Sequence, residues 1–227
     1  MTYSNATLKR FAKLKRKKHR EAERLFLAEG RTLVEEASVP SEYLFTELDD
    51  VKRLSTLATP TGPVAVFSFL DVTTVELLEK SERIVLLHGV QDPGNVGTVI
   101  RTAHAFGAGI ALSPGTADLY NPKTVRATMG SIFHSPIARE VLSLPFLEQA
   151  EASGFVTTAA VPRGGESPSS LPAEKLVIVV GAEGTGLPEE IISACQQRVK
   201  IPALAASLNA AVAASILLYE AYSRVLP

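Results

Sequence analysis

The sequence predicts an α/β protein: a small α/β module, then a larger domain built on a parallel sheet. Two patterns and one bound carry this expectation. From residue 83 onward, short continuous apolar runs alternate with helical stretches, the order expected of strands covered on both faces by crossover helices. Before residue 70, short strands and helices make up a small α/β module of about seventy residues, lean for an independent core. At 227 residues, with 46% hydrophobic and 21% charged, the chain can bury a sizeable core as one large domain, or as a small plus a medium one.

Residues 5–38 read as helix, with Phe11, Leu14, Leu25, Leu27 and Val34 among charges and Gly30 as an interruption. Residues 42–47 and 62–69 read as strands on either side of a helix at 48–58, and the turn TPTGP precedes the second. Residues 71–81 read as a linker or short helix. The boundaries are therefore a 1–70 module, a 71–81 linker and an 82–227 domain. In that domain, strands are expected at 83–90, 108–114, 135–141, 155–161, 175–181 and 198–203. Helices fall between them at 95–106, 121–133, 144–154 and 188–197, with a closing helix at 207–226.

Several classes drop out. No apolar run is long enough to span a bilayer, and the basic N-terminus is followed by no apolar signal core. Cys195 is the single cysteine, so neither a disulfide framework nor a clustered-thiol metal site is expected; the simplest setting is a reducing cytoplasm. Net charge is −1, but ten of the 23 basic residues lie in the first 31 positions against three acidic ones. A basic end on an otherwise acidic protein suits a polyanion such as nucleic acid, or a helix whose lysines only keep it soluble.

Three loops at expected strand ends carry candidate chemistry, since an open parallel sheet binds ligands there. In DPGNVGTVIR (92–101), Asn95 falls where a helix N-cap is expected, and Gly94 and Gly97 allow close approach. Free N–H groups there would suit an anion, with Arg101 reaching a phosphate; the alternative is a tight turn with a surface arginine. In VVGAEGTGLP (179–188), three glycines in six residues bring backbone close to a ligand and hold Glu183, or make a plain turn. In IPALAASLNAAVAAS (201–215), Ser207 suits a helix N-cap, and with Asn209 it either orients a substrate or only caps. A nicotinamide-type dinucleotide site is disfavoured, because the glycine loop comes too late to open a doubly wound sheet.

Taken in order and spacing, HGVQDPGNVGTVIRTAHAFG, VIVVGAEGTGLP and IPALAASLNAAVAASILLYE resemble the three signature motifs of the SpoU (TrmH-like) RNA ribose methyltransferases of the SPOUT class. NPKTVRATMGSIFHSPI resembles that family's intermediate segment, and the stretch up to Phe69 is loosely similar to its substrate-binding module. The resemblance implies a parallel α/β domain with a C-terminal trefoil knot. It also implies a homodimer that uses S-adenosylmethionine, without metal, to methylate a ribose 2′-hydroxyl in rRNA or tRNA. By motif, Asn95, Arg101, Glu183, Ser207 and Asn209 form the expected catalytic set, and Gly181, Ile201 and Leu208 the cofactor contacts. Lys15, Arg16, Lys17, Lys18, Arg20 and Arg126 are the expected RNA contacts, and rRNA is favoured over tRNA. His88 is expected to be a satisfied structural histidine, and Cys195 a buried helix residue with no role. One departure supports a second reading. IPALAASLN lacks the family's methionine and glycine and is about two residues short, so an RNA-binding protein with impaired cofactor binding is the alternative.

Overall fold

The computed structural model describes residues 3–60 and 62–224. The N-terminal part is a three-stranded antiparallel sheet, order β1-β3-β2, of β1 (Leu25–Glu29), β2 (Tyr43–Phe45) and β3 (Val64–Ser68). Around it lie α1 (Asn5–Ala12), α2 (Lys17–Glu23), α3 (Arg31–Glu35) and α4 (Leu48–Leu54). The single helix expected over 5–38 is thus broken. Arg24 takes a left-handed conformation (φ 55°) that closes α2, and the run Leu25–Ala28 becomes a strand because both of its faces are buried. Leu27 joins Leu8, Phe11 and Val66 in the module's own core, whereas Phe26 and Ala28 face a core shared with the larger domain. A helix would have left part of that run in water.

The larger domain holds a six-stranded parallel sheet, order β6-β5-β4-β8-β7-β9. Its strands are β4 (Arg83–His88), β5 (Gly109–Leu112), β6 (Ile137–Ala138), β7 (Val156–Ala160), β8 (Leu176–Gly181) and β9 (Gln197–Val199). Strict alternation along the central strands builds two cores. Ile84, Leu86, Val177 and Val179 face α5 (Thr74–Lys80), α8 (Ser143–Ala152) and α9 (Glu189–Ala194). Val85, Leu87, Ile178 and Val180 face α6 (Pro93–Ala105), α7 (Pro122–Ala127), α10 (Ala210–Ser223) and the N-terminal sheet. Of the linker or short helix expected over 71–81, the structure has the helix: α5 opens with a Thr73–Glu76 capping box and buries Leu77 completely.

Charged groups seal the junction between the two parts. Buried Arg20 donates to Asp118 and to Leu14 O, and Arg126 donates to Glu29. Tyr120 Oη donates to Asp71 Oδ1 (2.8 Å), its ring stacks on Phe69, and Arg139 lies over both rings while donating to Glu21 (2.9 Å).

After β9 the chain runs beside residues 161–166, with Val161 N–H on Val199 O (2.9 Å) and Lys200 N–H on Glu166 O (2.9 Å). It then returns as α10 across β8 and beneath residues 168–171, where Arg224 donates to Leu171 O (3.0 Å).

Candidate active site

Parallel pairing of β4 with β8 sets His88 opposite Gly181, so the loops that follow these two strands emerge side by side at the carboxyl edge of the sheet. The start of α10 arrives at the same edge, and a chain of amides ties the three segments. Asn209 is the N-cap of α10: its Oδ1 accepts from Ala211 N–H (2.9 Å) and Val212 N–H (3.2 Å). That fixes its Nδ2 as the donor to Asn95 Oδ1 (3.0 Å). Asn95 Nδ2 in turn donates to Glu183 Oε1 (2.6 Å), while Gln91 N–H donates to Oε2 (3.3 Å). Each amide thus has its orientation set by its neighbour, and the carboxylate ends the chain.

Beside this chain lies a cleft of about 380 Å³. Gly181 forms its floor where the loop folds back: Gly186 N–H bonds Ala182 O (2.9 Å), and a Cβ on Gly181 would stand 2.5 Å from Leu187 N. Gly184 and Gly186 hold left-handed φ values of 84° and 71° that complete the turn. Ile201, Leu208 and Leu217 supply apolar wall, and Glu183 and Ser207 supply polar groups. The short 201–209 segment therefore still lines the cleft. Among the described residues no group of three or more metal-ligating side chains forms.

The expected site residues separate into three groups. Asn95, Glu183 and Asn209 meet, and Gly181, Ile201, Leu208 and Ser207 line the adjoining cleft. Arg101 stands apart. It lies six residues after Asn95 on α6, hence about 9 Å along the axis and on a different face. It is exposed, with no ion pair among the described residues. The basic residues also divide. Arg16 and Lys18 are exposed, Lys17 is 3.6 Å from Glu140, and Lys15 donates to Arg53 O (2.9 Å). Arg20 and Arg126 do not belong with them. Arg20 is desolvated and held by Asp118, and Arg126, partly exposed, is paired with buried Glu29.

Two helix caps differ from expectation. Asp92, not Asn95, caps α6: its Oδ1 accepts Asn95 N–H (2.9 Å), and Pro93 follows at the first helical position. The N–H groups expected to wait for an anion thus face a carboxylate already in place. Its pKa is held below the usual range by the bond from Asn95 N–H and then by Lys123. Likewise Asn209, not Ser207, caps α10, and Ser207 is left at the cleft. Asp92 and Lys123 were missed by sequence reasoning, although Asp-Pro before an apolar-periodic run is a helix-start signal. His88 Nδ1 meets Ser143 Oγ at 2.8 Å, the satisfied histidine that was expected. Cys195 sits just past α9, its thiol pushed up to about 12 chiefly by burial.

The SpoU rRNA Methylase family matches residues 82–219, and the MRM3-like substrate binding domain matches residues 5–49. The 23S rRNA (guanosine(2553)-2′-O)-methyltransferase RlmP of Bacillus subtilis (strain 168) is 33% identical over 95% of this chain and 96% of its own. The crystal structure of an AdoMet-bound rRNA methyltransferase from Sinorhizobium meliloti superposes with a TM-score of 0.90 at 31% identity, covering 100% of this chain and 98% of that one. The SpoU methyltransferase AviRb from Streptomyces viridochromogenes, in complex with AdoMet, does so at 0.83 and 26% identity over 97% and 98%.

Proposed function

The chain belongs to the SpoU rRNA methylase family, and on that footing we propose that it moves a methyl group from S-adenosylmethionine to a ribose 2′-hydroxyl of ribosomal RNA. The observation that carries the proposal is the Asn209–Asn95–Glu183 chain at the mouth of the glycine-floored cleft. The residues present fit the cofactor. Gly181 lets the loop fold back on itself tightly at the cleft, Ile201 and Leu208 offer apolar wall, and Glu183 would set a negative charge facing a bound sulfonium. When bound, S-adenosylmethionine would supply an electrophilic sulfonium methyl as the group transferred to the ribose oxygen. Asn95 and Asn209 act by holding Glu183 and the hydroxyl in register, and the hydroxyl proton passes to Glu183 or to water. A guanidinium is a poor base, so Arg101 is assigned to a backbone phosphate rather than to the proton.

Three finer features belong to the proposal. The return of the chain past residues 161–171 supports a C-terminal trefoil knot. The exposed stripe Val212, Ile216 and Tyr219 on α10, next to the helix that carries Arg101, supports a homodimer across that face; a monomer mass by sedimentation velocity would remove it. Exposed Arg16, Lys17 and Lys18 support phosphate contacts from the N-terminal module in the cytoplasm, giving affinity without base choice. The binding-only alternative loses its ground, since the shortened loop keeps its place in the cleft wall.

Calorimetric titration with S-adenosylhomocysteine, followed by transfer assays on unmodified 23S rRNA and on bulk tRNA, tests the proposal. Cofactor binding with transfer to the 23S transcript is the expected result. Binding with transfer to tRNA alone would overturn the substrate, and no cofactor binding would overturn the function.

A further inference from the structure

Helix α7 touches both halves of this machinery. Two of its cations, one turn apart, are paired in opposite directions. Arg126 holds Glu29 at the end of β1 in the N-terminal module, and Lys123 Nζ lies 3.2 Å from Asp92 Oδ2 at the start of α6. Between these contacts α7 is pressed onto α6. A Cβ on Gly97 would stand 2.7 Å from Thr124 O and collide with the Ala127 side chain. The helix cannot slide along its axis either. Asn121 Oδ1 caps it through Lys123 N–H (2.9 Å), and Thr124 Oγ1 donates to the carbonyl of Asp118, whose carboxylate holds buried Arg20. Lys123 therefore reaches Asp92 from a fixed platform.

Asp92 uses its two oxygens for different partners. Oδ1 takes Asn95 N–H and Oδ2 takes Lys123, so the lysine orients the carboxylate that orients Asn95. Without the lysine, this exposed carboxylate is free to rotate, and the first turn of α6 loses its outer restraint. Asn95 would still have partners, but it would spend less time with Oδ1 on Asn209 and Nδ2 on Glu183 together. We propose that Lys123 is a positioning residue for methyl transfer, acting through Asp92 to hold Asn95 in the geometry that joins Glu183 to Asn209. The inference rests on the methyltransferase function proposed above.

Steady-state transfer to unmodified 23S rRNA, with both substrates varied, tests it in Lys123→Ala, Lys123→Arg, Asp92→Asn and the double variant Asp92→Asn/Lys123→Ala. The expected result is a fall in kcat of roughly tenfold or more for Lys123→Ala, with both KM values within about threefold. Lys123→Arg should restore most of it, and the double variant should be no slower than the slower single one. A rise in KM for RNA with kcat intact, or losses that multiply in the double variant, would mean that Lys123 holds RNA directly and would overturn the proposal. Hydrogen exchange at the Asn95 amide reads the same grip without turnover. It should accelerate in Lys123→Ala and not in Lys18→Ala, and unchanged exchange would overturn the proposal. A wild-type protein inactive on every RNA would instead overturn the methyltransferase function, and the exchange result would still decide whether Lys123 governs Asn95.

Discussion

At the residue scale, the site depends on side chains whose orientation is dictated by a neighbour and on one position where any side chain is excluded. Gly181 is that position, because a Cβ there would meet the backbone of Gly186 and Leu187. Gly181→Ala should cut S-adenosylhomocysteine affinity by about 100-fold or more, measured by calorimetry, while the protein stays folded by circular dichroism. Asn209 does two jobs, capping α10 and donating to Asn95. Asn209→Ala should cost about 1 kcal/mol of stability, visible as a drop of about 2–4 °C in Tm. Its loss of kcat should be larger than that drop explains, and Asn209→Asp should recover the cap without the activity. The meeting of Asn95, Glu183 and Asn209 was legible because they sit in motifs of fixed order. Arg20 and Arg126 were expected as RNA contacts, and their carboxylate partners were not legible because a charge's partner is not written near it: Asp118 lies 98 positions from Arg20, and Glu29 lies 97 from Arg126.

At the element scale, the parallel strands were legible because β4 and β8 are continuous apolar runs bounded by glycine and charge. The first strand was not. Leu25–Glu29 follows a basic helix with no turn residue between, and its break is made by Arg24 in a left-handed conformation that sequence pattern does not announce. Its two-faced burial is testable. Phe26→Ala and Leu27→Ala should each destabilise, by about 3–5 and 2–5 kcal/mol in urea unfolding, whereas an amphipathic helix would expose one of these neighbours. The caps were half legible. Asp92 before Pro93 marks the start of α6, but Asn95, three residues later, was expected as the cap.

At the scale of the whole molecule, the two parts behave as one body. Phe26, Ala65 and Phe67 of the small sheet share a core with Val96, Val99 and Leu119, and three arginines bridge the seam. A 1–70 module, lean for an independent core, was expected ahead of an 82–227 domain; which face of a small sheet is buried against a later domain is a tertiary fact. Asp71 and Glu29 carry the pH dependence of this seam. Burial raises both pKa values, but hydrogen bonds from Tyr120 and the charge of Arg139 at Asp71, and from Ser55 and Thr56 with Arg126 at Glu29, leave both below their ordinary 3.8 and 4.5. A depressed carboxyl pKa adds stability above the ordinary value, and that stability is lost as pH falls through the lower folded value. Tm should therefore hold from neutral pH to about 5 and fall steeply below about 4, and Asp71→Asn should lower the plateau and flatten that fall.

One site, built from Asn95, Glu183 and Asn209, is proposed to methylate a ribose hydroxyl of ribosomal RNA. Its most direct test uses methyl-labelled S-adenosylmethionine, unmodified 23S rRNA, and wild type beside Asn95→Ala, with the RNA digested to nucleosides and separated by mass. Wild type should place label in a single 2′-O-methylnucleoside, reduced at least tenfold in the variant. Label on a base, or undiminished 2′-O label with Asn95→Ala, would contradict it.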